Sequence, residues 1–209
     1  MGLLRKAGRV VGEGGLVVRA VGRVCTALWG YTPGVIPAMV AAMGSGPALR
    51  WFAANFPRFL VTLRVLGPVR THLAGLTISL ANGCVYCAYG RAHALELIHL
   101  RDRDRVFPLD ARTLDDWAGL SRREIGLRLR AVLEEAGMHA EVIWVDRTLA
   151  LLDGAPPVDA DERRIAHLCR MVGTMNAIAV AAGTVPDGAH DPVNKDAALK
   201  ARLLAAQNA

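Results

Sequence analysis

Apolar residues in this chain recur at three- and four-residue spacing and almost nowhere alternate, so the pattern predicts helices nearly throughout. Residues 35–43 predict a short apolar helix inside a loop bounded by Pro33 and Gly46. Pro47 suits the first turn of the next helix, which carries Trp51 and Phe52. Pro57 predicts a restart, with Phe59, Leu60, Leu63 and Leu66 on a single face. After Gly67 and Pro68, residues 69–80 predict another helix, leading into one that runs to about Leu100.

Residues 102–110 predict a polar, proline-containing loop. Ser121 and Glu124 have the spacing of a capping box, and the helix they open sets Ile125, Leu129, Val132 and Leu133 at core spacing before Gly137 ends it. A further helix over 139–152 stops at Gly154, ahead of Pro156 and Pro157. Residues 159–183 form the cleanest amphipathic stretch, with Ile165, Leu168, Val172, Met175 and Ala179 on one stripe. Residues 185–192 predict a loop, and Asn194 the cap of a final polar helix. The one strand-like run, 142–145, is too short to build a sheet, and no internal repeat is present. An all-α domain follows.

Composition sharpens this. With 209 residues the chain can bury a sizeable core. A hydrophobic fraction of 53% and a mean hydropathy of +0.28 point to largely buried helices and a subunit interface, hence a homo-oligomer. No charge falls between Arg23 and Arg50, yet Gly30, Pro33, Gly34, Pro37, Gly44, Gly46 and Pro47 cut that stretch into pieces. Each piece is well short of the ~20 residues a span needs, and no membrane span is expected. The net charge of +6 comes from scattered arginines, densest around Arg5, Lys6, Arg9, Arg19 and Arg23. Glu13 and the glycines at 12, 14 and 15 argue against a nucleic-acid or membrane contact there. Residues 1–32 are therefore expected to be a basic, partly helical arm, 33–185 the helical domain, and 186–209 a C-terminal loop and polar helix. No secretory leader is expected, and four cysteines are too few for a disulfide scaffold, which favours the cytoplasm.

The candidate chemistry lies in residues 82–93, where Cys84 and Cys87 stand three apart at the expected start of a helix. At that spacing their Cβ atoms are about 5–6 Å apart. A small adjustment reaches the roughly 3.5–4.5 Å of a disulfide. Asn82 is expected as N-cap and Gly83 as the turn, which puts Cys84 in the first helical turn, where thiolate is favoured. A thioredoxin-like role needs a βαβ context that the pattern lacks. Structural zinc needs four ligands, and no second pair accompanies these two. Cys25 and Cys169 lie on apolar faces and are expected as small core residues. No metal and no cofactor are expected.

Helix, Asn-Gly-Cys-x-Tyr-Cys, helix in an all-α chain resembles the alkylhydroperoxidase D-like group of the carboxymuconolactone decarboxylase superfamily. The resemblance covers residues 35–183, including the lead-in helices over 47–80 and a closing helix around 175–183. It implies the helical domain of that group, a redox-active pair at Cys84 and Cys87, and a hydroperoxide substrate with a dithiol electron donor not yet identified. It further implies that Cys87 attacks and Cys84 resolves, whereas the helix-end position alone favours Cys84 as the more acidic thiol. Tyr86 falls on a position that is often His or Tyr. The family motif is a glutamate, eleven residues, Cys-x-x-Cys, three residues and a histidine, and the two relay positions here hold His72 and Arg91.

Arg91 shares the helix face of the cysteines and can hold a thiolate by charge, but it cannot accept a proton. His72 is expected to move the proton in place of the glutamate. His93 points roughly 120° from Cys87 on an ideal helix and is expected at a surface or interface. His99, His139, His167 and His190 are expected to be structural or solvated. Two other readings stand beside the redox one. In the first, the same fold binds a small organic acid through His72 and Arg91; in the second, an oligomeric interaction protein uses the CxxC structurally or to hold zinc.

Overall fold

The computed structural model describes residues 2–117 and 119–208, with their side chains from residue 15 onward. Among these the fold is all-α, with no strand. The helices are α1 (Gly2–Trp29), α2 (Val35–Met43), α3 (Ser45–Leu66), α4 (Pro68–Ala81), α5 (Val85–Arg103), α6 (Arg122–Glu135), α7 (Val142–Leu152), α8 (Ala160–Ala181) and α9 (Ala197–Gln207). Three short 3-10 turns join them at Ala111–Trp117, His139–Glu141 and Pro192–Lys195.

The centre is the α4–α5 pair. Every residue from Thr71 to Leu80 is buried, and on α5 only Tyr89 and His93 between Tyr86 and Leu100 retain partial exposure. A helix covered on all sides needs no polar stripe, which explains the long uncharged run there. α7 and α8 cover α4, α1–α3 close the side that holds the cysteines, and α9 covers the far end of α5. The end of α1 belongs to this packing: Cys25 and Trp29 are buried in the same cluster as Cys84 and Cys87. Among the described residues no helix is long and apolar enough to cross a membrane.

Two local expectations are corrected. Pro57 does not restart a helix but lies inside a continuous α3. Pro57 and Ala53 are on the exposed face, so the Ala53 carbonyl freed by the missing N–H meets solvent, while Phe52 and Phe59 anchor both halves to the core. Residues 142–145, strand-like in composition, form the first turn of α7 inside the stretch expected as helix, with Trp144, Val145 and Thr148 buried at helical spacing. Asn194 does not cap α9; Asp196 does, accepting from Leu199 N–H at 2.8 Å. Asn194 is buried instead, donating to the Trp29 carbonyl at 2.8 Å and accepting from Ala189 N–H at 3.2 Å, which ties the C-terminal segment to α1. Elsewhere local chemistry decides. The Ser121–Glu124 capping box forms in both directions, and Gly137 closes α6 at φ +68°. Ile125, Leu129 and Leu133 are buried as their spacing predicts, with Val132 half-buried.

Candidate functional site

The site begins at the α4–α5 turn. Gly83 adopts φ +66°, the Gly83 N–H reaches Leu80 O at 3.0 Å and the Cys84 N–H reaches Ser79 O at 2.9 Å. This wrap is a C-terminal closure of α4, so Asn82 ends that helix rather than capping the next. The N-cap of α5 is Cys84 itself, extended at φ −98° and ψ 90°, with its sulfur accepting from Cys87 N–H at 3.4 Å. Cys84 thus sits where Ser or Thr usually caps, and Cys87 at the third helical position. Both are free thiols, 1% and 2% exposed.

Their acidities diverge. The Cys87 thiol donates to Cys84, and with help from Cys87 N–H and the Asn176 amide this lowers the Cys84 thiol from 9.0 to about 7 against the cost of burial. The same bond, burial and the negative Cys84 sulfur hold Cys87 well above its ordinary value, with Arg91 and Asn176 offsetting part of the effect. Of the two thiols, Cys84 is therefore the one that ionises first. Asn176 is set by a chain from α8 to α4: it accepts from Asn82 Nδ2 at 3.0 Å and donates to Ser79 Oγ at 3.3 Å.

Beyond Cys87 lies a buried ionic array. Arg91 is 3% exposed, stacks over Phe59 at 5.0 Å and donates from Nη1 to His72 Nδ1 at 3.4 Å. A guanidinium can only donate, so His72 carries its proton on Nε2 and donates it to Asp191 Oδ2 at 2.8 Å. Burial pushes the His72 pKa below its ordinary value, ahead of the opposing pull of Asp191. His72 is therefore a neutral bridge between a cation and an anion, with both nitrogens engaged. Asp191 is anchored by Val193 N–H at 2.9 Å.

Tyr86 is a clamp. Its hydroxyl donates to Asp187 Oδ2 at 3.1 Å and accepts from Val35 N–H at 3.3 Å, joining α5 to α2 and the C-terminal segment. Burial first, and then the Asp187 charge, hold its pKa above the usual range, so it keeps its proton.

His190, expected to be structural or solvated, packs directly on the site. Its ring stacks near Trp29 and tilts against Tyr86, with centroids at 5.8 and 5.6 Å. A Cβ at Gly90 would fall 2.7 Å from that ring, so only glycine admits it. Burial, Arg91 and His72 push its pKa well below the ordinary value. Asp187, His190 and Asp191 lie in a segment whose pattern predicts only loop, over 90 residues from the cysteines; a glycine inside the CxxC helix was the one sequence signal of close packing there. Arg91 Nε and His190 Nε2 are buried without a hydrogen-bond partner among the described residues. Both residues border an apolar cavity of about 30 Å³, walled also by Trp29, Phe59, Met171 and Met175.

Of the remaining candidates, Cys25 borders the same cavity, and none joins the hydrogen bonds of the array. His93 pairs with buried Glu96 at 2.8 Å. Cys25 and Cys169 have thiols pushed up to about 11 by burial. Among the described residues no group of three or more His, Cys, Asp or Glu side chains could hold a metal ion. No protein-family model matches the chain, and no curated protein and no solved structure matches it.

Proposed function

We propose that the chain is a thiol–disulfide oxidoreductase with hydroperoxide-reductase chemistry, in which Cys84 is the nucleophile and Cys87 the resolving thiol. The observation that carries this is the Cys84 sulfur at the α5 N-cap, accepting from Cys87 and lowered to about 7. A thiol of that acidity is about half thiolate near neutrality, and the thiolate is the reactive form. The Cys84 thiolate attacks the outer oxygen of ROOH, forming an S–O bond as the O–O bond breaks; a proton goes to RO⁻, giving ROH and Cys84 sulfenic acid. Cys87 sulfur then displaces hydroxide, which takes the Cys87 proton and leaves as water. The product is a Cys84–Cys87 disulfide, two electrons having passed to the peroxide. An external dithiol returns them by exchange, ending as a disulfide itself.

The alkylhydroperoxidase D-like resemblance supports the reaction class, though it implies the reverse order of cysteines. The polar array then has a supporting part: Arg91 places a fixed positive charge near Cys87, and His72 and Asp191 hold it there. A homo-oligomer in the reducing cytoplasm fits the hydrophobic composition and the free thiols. A second reading draws on the unpartnered Arg91 Nε: a fold of this kind that binds a small organic acid there.

Mass spectrometry after alkylation, before and after one equivalent of an organic hydroperoxide, separates the two. The redox reading expects loss of two thiols and a Cys84–Cys87 link. Retention of both thiols, with a carboxylate raising the melting temperature, would establish the second reading instead.

A further inference from the structure

Away from the cysteines lies a groove of about 680 Å³ between α3 and α8. None of the residues lining it belongs to the site described above. Arg163, His167 and Arg170 stand at i, i+4 and i+7 on α8 and share one face, and Arg58 on α3 joins them in lining the groove. Among the described residues Arg164 pairs with Asp161 at 3.0 Å, while Arg58, Arg163 and Arg170 pair with no carboxylate. Like charges at this helical spacing repel, which is a cost unless something neutralises them.

His167 shows how closely these cations are gathered. Asn55 Nδ2 donates to the Trp51 carbonyl at 2.9 Å, which turns its Oδ1 toward His167 Nε2 at 3.0 Å. His167 therefore carries its proton on Nε2, and its Nδ1 is an acceptor shielded from solvent, which offers nothing to an anion. Burial, then the charges of Arg58 and Arg170, push the pKa of this imidazole down, so both guanidinium groups are close enough to feel it.

Guanidinium forks match phosphate geometry and bind it bidentately. The volume lies in the range of small-ligand sites, roughly 300–1,000 Å³. Cations gathered around one concavity, rather than strung along a ridge, suit a compact polyanion better than a nucleic-acid backbone. Three unpaired guanidinium groups balance about three negative charges, more than one phosphoryl group carries. We propose that this groove binds a small ligand bearing two or more linked phosphoryl groups, held by Arg58, Arg163 and Arg170. Inorganic oligophosphate and a nucleoside polyphosphate share that chemistry.

Isothermal titration of the full chain at low salt with phosphate, pyrophosphate, tripolyphosphate, ADP and ATP tests it. The expected result is one site, with pyrophosphate or ADP binding at least about tenfold tighter than phosphate, as extra charged hydrogen bonds require. Whichever of tripolyphosphate and ATP binds more tightly identifies the source. Arg58→Gln with Arg170→Gln should weaken binding by about tenfold or more. Arg19→Gln with Arg23→Gln removes the same charge from exposed positions on α1 and should change it less than about twofold. Equal loss in both double variants, no preference for linked phosphoryl groups, or no binding at millimolar ligand would overturn the proposal.

Discussion

Cys84 and Cys87 carry the same chemical group at nearly the same burial, and Cys84, the helix cap that accepts the Cys87 N–H and is lowered further by the neighbouring Cys87 thiol, is the one held lower. Cys87→Ala removes the S–H donor while leaving the backbone N–H, so the Cys84 pKa should climb from about 7 toward 9.0. Its alkylation at pH 7 should then slow by about tenfold, read by mass spectrometry at the Cys84 peptide. An unchanged rate would mean that the helix end alone sets the acidity. Asp191 offers a separate test. Among the described residues it is the one carboxylate bound to the array of Arg91 and His72, and removing one partner of a buried pair leaves an uncompensated charge. Asp191→Asn should cost about 3–5 kcal/mol in urea unfolding. A loss within 1 kcal/mol, on the order of a surface change, would show that Arg91 is balanced elsewhere.

At the scale of elements, the α4–α5 hairpin and the 187–191 segment assemble the site from opposite ends of the chain. Besides the Asp191 and Asp187 bonds, they touch at Gly90, through the His190 ring and through His190 N–H donating to Gly90 O at 3.1 Å. Gly90→Ala should destabilise by about 1–3 kcal/mol through overpacking. The same change in a His190→Ala background should cost clearly less, and equal costs would refute the close fit. This contact also marks the limit of what the sequence discloses. The extent of α2, the Ser121 capping box and the start of α8 at Asp159 were legible because each depends on residues within one or two turns. Asn82-Gly83 predicts a helix start, but the same dipeptide can close a helix; the carbonyls of Ser79 and Leu80 decide for closure and move the cap to Cys84. Pro57 reads as a break until the core packing on either side of it is known. Asp187, His190 and Asp191 gave no signal because their partners Tyr86, Gly90 and His72 are more than 90 residues away.

For the whole molecule, burial sets the response to acid. His72, His99, His167 and His190 all have pKa values lowered in the fold, with desolvation the leading cause. In the unfolded chain each binds a proton near pH 6.5. The unfolded state thus takes up more protons below that pH, so the stability these groups contribute is full above about 6.5 and falls as pH drops toward their folded values. Asp191, depressed by its bond to His72 despite burial, adds a loss in the same direction at lower pH. The urea midpoint should therefore fall between pH 7.5 and 5.5, and His190→Ala should reduce that slope. A midpoint independent of pH would contradict the neutral, buried state assigned to His72 and His190.

The central claim is that Cys84 is the sulfur that attacks. The most direct measurement treats Cys87→Ala and Cys84→Ala separately with one equivalent of an organic hydroperoxide and traps sulfenic acid with a 1,3-dione for mass spectrometry. Trapped product on Cys84 in the first variant, and none on Cys87 in the second, is the predicted result. Product on Cys87 alone would contradict the account and restore the order that the family resemblance implies.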